Sequence, residues 1–152
     1  MILKKGMKVG FAADHAGYPM KENLKKEFQA LYPDIEIVDF GTNALDSVDY
    51  PDYAHKLAGA VANGEVDFGV ASCGTANGIT MTMNRHKGVR ATIVWDREVA
   101  SLVRRHNDAN ILSIPGRFIT LNEGIELMKV FFATEFEGGR HQRRIDKIDQ
   151  AE

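Results

Sequence analysis

The first 84 of the 152 residues contain no arginine, whereas residues 85–144 carry nine. The net charge of −2 therefore conceals two oppositely charged regions, −4 over residues 1–84 and +4 over residues 85–144, followed by −2 over the last eight residues. So balanced a total gives no basis for nucleic-acid binding, which needs a surplus of basic residues. A single cysteine excludes an internal disulfide and any multi-cysteine metal site. No run approaches the ~20 apolar residues of a membrane span. The apolar stretch Val9–Ala13 behind the charged MILKKGMK start is too short for the core of a signal peptide. The expectation is a cytoplasmic, soluble protein without a membrane partner, its lone thiol kept reduced. Neither a GxGxxG nor a Walker A pattern is present, so mononucleotide binding is poorly supported. HExxH and other recognisable metal spacings are also missing.

What remains is ordinary for a globular chain, with 44% hydrophobic and 26% charged residues. At this length one domain over residues 1–152 is expected, large enough to bury a core without staples. Short apolar runs alternate with longer amphipathic ones. Strands are predicted at Lys8–Ala13, Ile35–Phe40, Phe68–Ser72, Val89–Val94 and Ile111–Ile114. Helices are predicted from Pro19 to about Pro33, from Tyr50 or Pro51 to about Asn63, over Arg97–Arg105 and Leu121–Thr134, with a last short one at about 142–150. Pro19 suits a helical first turn, where its missing N–H costs nothing, and Gly64 suits a stop. Strand–helix alternation of this kind predicts an α/β fold. It is a three-layer, Rossmann-like arrangement with a five-stranded parallel sheet, helices on both faces and a strand order beginning 2-1-3. Sites in such folds lie beyond the carboxyl ends of the strands. Here those segments are 14–17, 41–49, 73–78, 95–97 and 115–117.

Four stretches could carry chemistry. Cys73-Gly74-Thr75-Ala76-Asn77-Gly78 joins a buried strand to a helix start. Its glycines let successive N–H groups surround an anion, and the helix terminus adds partial positive charge. A thiol placed there is expected to have a lowered pKa, which suits a nucleophile or carbon-acid base; a half-buried cysteine beside a plain glycine turn has the same sequence. Asp14-His15, at the mouth of the first strand, could handle hydroxyls or phosphate, or simply cap the next helix. His106-Asn107-Asp108-Ala109-Asn110 puts an imidazole suited to acid–base work before the fifth strand, though His and Asn are also favoured at helix ends. In Glu137–Arg144, Arg140 and Arg144 share a helical face and could form a guanidinium pair for phosphate, or a solvated basic surface. Arg117, after the fifth strand, could be another anion contact. His55, His86 and His141 read as surface or structural residues.

Taken in order, these motifs resemble the B-type ribose-5-phosphate isomerases, in the family that also holds allose- and galactose-6-phosphate isomerases. The match runs through Asp14-His15-Ala16-Gly17, Gly41-Thr42, Asp49–Ala54, Cys73-Gly74-Thr75 with Gly78-Ile79, Asn84, Arg90-Ala91, Arg105–Asn110 and Glu137–His141, nearly the whole chain. The resemblance implies an aldose–ketose isomerase acting through an enediolate on ribose 5-phosphate, or alternatively on a six-carbon sugar phosphate. A phosphosugar-binding module without catalysis is the non-enzymatic alternative. The resemblance implies Cys73 as the base moving a proton between C2 and C1, Thr75 as its helper, and the backbone of Gly74, Ala76, Asn77 and Gly78 as the anion hole. It implies His106 as the ring-opening residue, with Asp14 on the same oxygens, and Asn107 as a sugar contact. His15, Arg117, Arg140 and Arg144 are implied as binders of hydroxyls and phosphate. A homodimer or dimer of dimers with sites shared across the interface is implied, with no metal or cofactor required. The family often has glycine where this chain has Ala76, and a methyl there narrows the backbone angles open to the anion hole.

Overall fold

The computed structural model describes residues 1–151. Five strands, β1 (Lys8–Ala13), β2 (Glu36–Asp39), β3 (Phe68–Cys73), β4 (Ala91–Ile93) and β5 (Ile111–Pro115), form one parallel sheet in the order β2-β1-β3-β5-β4. Helices α1 (Tyr18–Leu31), α4 (Arg97–Arg105) and α5 (Leu121–Ala133) cover one face, and α2 (Tyr50–Ala62) and α3 (Asn77–Met83) the other. A short α6 (Arg140–Asp146) and a 3₁₀ turn (Ile148–Gln150) follow. The α/β fold and the 2-1-3 start of the strand order are as expected. Among the described residues no helix is long and apolar enough to cross a membrane.

Alternation along the strands sorts the core into two layers. Phe11, Val70 and Leu112 face α1 and α5, meeting Met20, Leu24, Phe28, Met128, Phe131 and Phe132. Ala12, Ala71 and Ile111 face α2 and α3, meeting Leu57, Ile79 and Met83. The second face is built from small residues. A Cβ at Gly10 would lie 2.6 Å from Leu57 Cδ1 and 2.8 Å from the Phe40 ring, so glycine there lets α2 lie close on the sheet. Helix α1 is tied to β2 by a charged cluster. The ammonium of Lys21, which is fully buried, lies 2.8 Å from both Asp39 carboxylate oxygens and 3.0 Å from Glu22, while Lys25 lies 2.7 Å from Asp39.

Two elements differ from expectation. The fourth strand covers three residues rather than Val89–Val94. At its start a backbone bond, from the Asn110 amide to the Arg90 carbonyl at 3.0 Å, is joined by side chains: Asn110 Oδ1 accepts from the Arg90 amide at 2.7 Å, and Asn84 brackets Ala91 at both its N–H and carbonyl (2.8 and 2.9 Å). The last helix begins at Arg140 and ends at Asp146, instead of spanning about 142–150. Gly139, at φ +60°, turns the chain into it.

Candidate active site

The sheet reverses its direction of growth between β1 and β3, and the loops leaving these strands meet there. Gly17 sits so close to β3 that a Cβ would fall 2.1 Å from the Ser72 carbonyl oxygen. Its amide donates to Asp14 Oδ1 at 2.9 Å, which holds the buried Asp14 carboxylate in a tight turn. The loop after β5 is hydrogen-bonded onto the loop after β3: Gly116 N–H donates to the Cys73 carbonyl at 3.0 Å and Arg117 N–H to the Gly74 carbonyl at 3.1 Å. Arg117 thereby lies over Gly74, where a Cβ would be 3.4 Å from its Cδ. Thr75 Oγ1 accepts from the Asn77 amide at 3.2 Å. Ala76 adopts φ +66° with its methyl fully buried, and the Tyr50 ring packs flush on Gly78. His15 Nδ1 accepts from the Val48 amide at 3.1 Å, which leaves Nε2 as the protonated nitrogen of the neutral ring.

Cys73 ends β3, buried at the centre of this group. The expected lowering of its pKa does not hold within the chain. Burial pushes the thiol up and the nearby Asp14 carboxylate adds to this, outweighing the amides of Ile79, Ala76 and Thr75 that stabilise the thiolate. The Ile79 amide belongs to the first turn of α3, so the helix terminus does favour the thiolate, but not enough to reverse the shift.

A second cluster forms elsewhere. His106, Asn107, His141, Arg144, Ile145 and Ile148 line a cleft of about 400 Å³. His106 stacks on His141 with ring centres 4.3 Å apart and planes 13° from parallel. Arg105 Nε donates to Glu137 Oε2 at 2.7 Å, and the Glu137 amide donates to the Arg105 carbonyl at 3.0 Å, which docks the 137–141 segment beside α4. The Arg105 guanidinium holds Glu137 below the usual carboxylate range. Burial, with the charges of His106 and Arg140, holds His141 below the usual imidazole range. The loop is braced by buried Arg104, whose guanidinium donates to Asp108 Oδ1 (2.8 Å) and to the Ala109 and Thr134 carbonyls (2.6 and 3.1 Å). Arg140 and Arg144 lie one turn apart on α6, both exposed.

The predicted residues thus separate into two groups. Asp14, His15, Cys73, Gly74, Thr75, Ala76, Asn77, Gly78 and Arg117 gather at the carboxyl edge of the sheet. His106 and Asn107 precede β5, at its amino end, with Arg144 beside them. From Asn110 to Pro115 the strand runs about 16 Å at ~3.3 Å per residue, so one chain does not bring its thiol and its His106 to one small ligand. His141, buried against His106, and Glu137 join the second group, although the sequence marks neither as a site residue. Their only signal was membership of the Glu137–His141 motif.

Known proteins resemble this chain over nearly its whole length. The family model described as Ribose/Galactose Isomerase matches residues 9–148. A putative sugar phosphate isomerase of Bacillus subtilis is 42% identical over 147 residues, 96% of this chain and 97% of that one. The crystal structure of a ribose 5-phosphate isomerase from Thermotoga maritima superposes with a TM-score of 0.91 at 42% identity, covering 96% of this chain and 99% of that one. Ribose-5-phosphate isomerase B from Mycoplasma genitalium, solved with bound ribulose-5-phosphate, gives 0.90 at 38% identity over 97% of both chains.

Proposed function

Since the chain belongs to the ribose/galactose isomerase family, we propose that it interconverts ribose 5-phosphate and ribulose 5-phosphate, as a homodimer or dimer of dimers in the cytoplasm. One observation carries the reading. In a chain alike over 97% of its length to a protein solved with ribulose-5-phosphate, a lone buried thiol sits among backbone amides near Asp14, with Arg117 over the adjoining Gly74.

The single domain supplies half of each site from either edge of its sheet. Cys73 and Thr75 of one copy face His106 and Asn107 of another. His106 passes a proton to the ring oxygen while the C1 hydroxyl loses one, which opens the furanose, with Asp14 on the same oxygens. The Cys73 thiolate takes the C2 proton of the open aldose. Its electron pair becomes the C1–C2 double bond of an enediolate, whose oxygens face the amides from Gly74 to Gly78. Returning the proton to C1, with the hydroxyl proton passing from O2 to O1, gives the ketose. His15 and Arg117 from one copy and Arg140 and Arg144 from the other hold hydroxyls and phosphate, so non-reacting binding energy positions C1 and C2. The cations brought by the second copy offset the burial that raises the thiol pKa. No metal or cofactor takes part.

A ketose-detecting assay with ribose 5-phosphate and allose 6-phosphate tests this. Turnover of the pentose is expected, with Cys73→Ala retaining substrate binding and losing isomerisation by ~10³-fold or more. Full activity in Cys73→Ala would remove the thiol from the mechanism, and preferential turnover of allose 6-phosphate would replace the substrate.

A further inference from the structure

We propose that His106, Glu137 and His141 form a binding site for a divalent transition cation of the zinc class, one that inhibits rather than serves the enzyme. The three side chains place two imidazole nitrogens and a carboxylate oxygen within 4.8 Å of one another. Glu137 Oε1 lies 3.6 Å from His141 Nε2 and 3.8 Å from His106 Nε2. These distances are too long for hydrogen bonds. They are close to the ~3.3–3.5 Å that separates ligand atoms bonded at ~2.0–2.1 Å to a tetrahedral ion.

The donors are free and supported. Arg105 occupies Oε2 alone, and among the described residues Oε1 and the two Nε2 atoms have no hydrogen-bond partner. The Arg105–Glu137 bond is the kind of outer contact that orients a ligating carboxylate. Buried His141 is fixed, and half-exposed His106 is the ring that moves: joining one ion turns it out of the 13° stack. The cleft lined by Asn107, Arg144 and Ile148 leaves a further coordination position open. Two imidazoles and one carboxylate select Zn²⁺, Co²⁺, Ni²⁺ or Cu²⁺ over Mg²⁺ and Ca²⁺, which demand oxygen ligands. The neighbouring charges of Arg140 and Arg144 weaken the site, so the ion is a reversible occupant. Inhibition follows because a metal-bound His106 no longer carries protons; this consequence rests on the ring-opening role proposed above, whereas binding does not.

The test is a Co²⁺ titration of the chelator-treated full-length protein followed by visible absorption, with Zn²⁺ competing in calorimetry. One ion per chain is expected, with affinity reduced 10–100-fold in Glu137→Gln and in His141→Asn, folding of each being checked by circular dichroism. His86→Ala, which breaks up the exposed His55–His86 pair, the other place where two imidazoles meet, is expected to bind like the parent. Absence of binding, or binding unchanged in Glu137→Gln and His141→Asn, overturns the site; so does loss in His86→Ala. In the assay, Zn²⁺ inhibits the parent and inhibits Glu137→Gln at least tenfold less effectively. A parent protein inactive on every sugar phosphate would overturn the isomerase reading and leave the cobalt titration to decide the site.

Discussion

Ala76 holds a left-handed backbone conformation, φ +66°, with its Cβ completely buried. Left-handed geometry costs a non-glycine residue ~1–2 kcal/mol. Glycine would relieve that cost, but it gains chain entropy when unfolded, ~0.4–1 kcal/mol, and gives up a buried methyl worth ~0.8 kcal/mol. These terms cancel, so Ala76→Gly is expected to change stability by less than ~1 kcal/mol. Ala76→Val, β-branched at positive φ in a filled space, is expected to cost ~3 kcal/mol. Urea unfolding of both variants checks the pair, and equal losses would contradict the reading. At Cys73 the balance is electrostatic. Within one chain burial wins over the amides and raises the pKa. If Arg140 and Arg144 of a second copy face the thiol, replacing both with alanine moves the pH midpoint of Cys73 alkylation upward. A midpoint that stays in place would separate these arginines from the thiol. The cysteine and its glycine loop were legible in the sequence because few other loops combine them. The sign of the pKa shift was not, because it depends on how deeply β3 ends in the core and how near Asp14 lies, neither of which is a local property.

Among the elements, β1 and α4 run over the residues their patterns predict. Each has unambiguous signals: an apolar run closed by Asp14, and an Asp96 cap whose side chain accepts from the Glu98 and Val99 amides. The fourth strand and last helix were less legible because side chains far apart in sequence set their ends, Asn84 and Asn110 in one case and the Glu137–Arg105 contact in the other. The docking of α1 on β2 is reinforced by a part-buried ion cluster around buried Lys21, which a charge count does not reveal. Burial opposes ionisation of Asp39, yet the Lys21 and Lys25 hydrogen bonds and the Gly41 amide hold its pKa below the usual carboxylate value. The folded pKa being lower than the unfolded one, the stabilisation is fully present above about pH 4 and is lost as pH falls through the folded value. Asp39→Asn leaves the buried Lys21 ammonium with Glu22 as its one close carboxylate and only neutral acceptors besides, Asn43 among them. It is expected to cost ~3 kcal/mol at pH 7 and to flatten the acid limb of the stability curve. An acid limb identical to the parent's would remove Asp39 from that role.

For the whole molecule, the decisive dimension is the length of β5, with the Cys73 neighbourhood at one end and the His106 loop at the other. Two inactive variants, Cys73→Ser and His106→Asn, are therefore expected to complement one another. After unfolding and refolding together, random pairing into symmetric dimers gives about half mixed dimers, each with one intact site of two, and so roughly a quarter of parental activity. Continued inactivity would place both groups in one chain's site. The halves of the charge distribution follow the same division. The region free of arginine supplies Asp14 and the thiol loop, and the arginine-bearing one supplies Arg140 and Arg144, with Arg117 crossing over to Gly74.

The spacing along β5 also has a consequence for how activity responds to amount. A monomer keeps its core, its sheet and its folded loops, yet holds only half of each constellation. If two copies pair as proposed, dilution below the dissociation constant of the dimer silences turnover while circular dichroism stays unchanged. Specific activity is then expected to follow a binding isotherm in chain concentration, which saturating substrate shifts toward lower concentrations by mass action if the sugar phosphate binds only the pair.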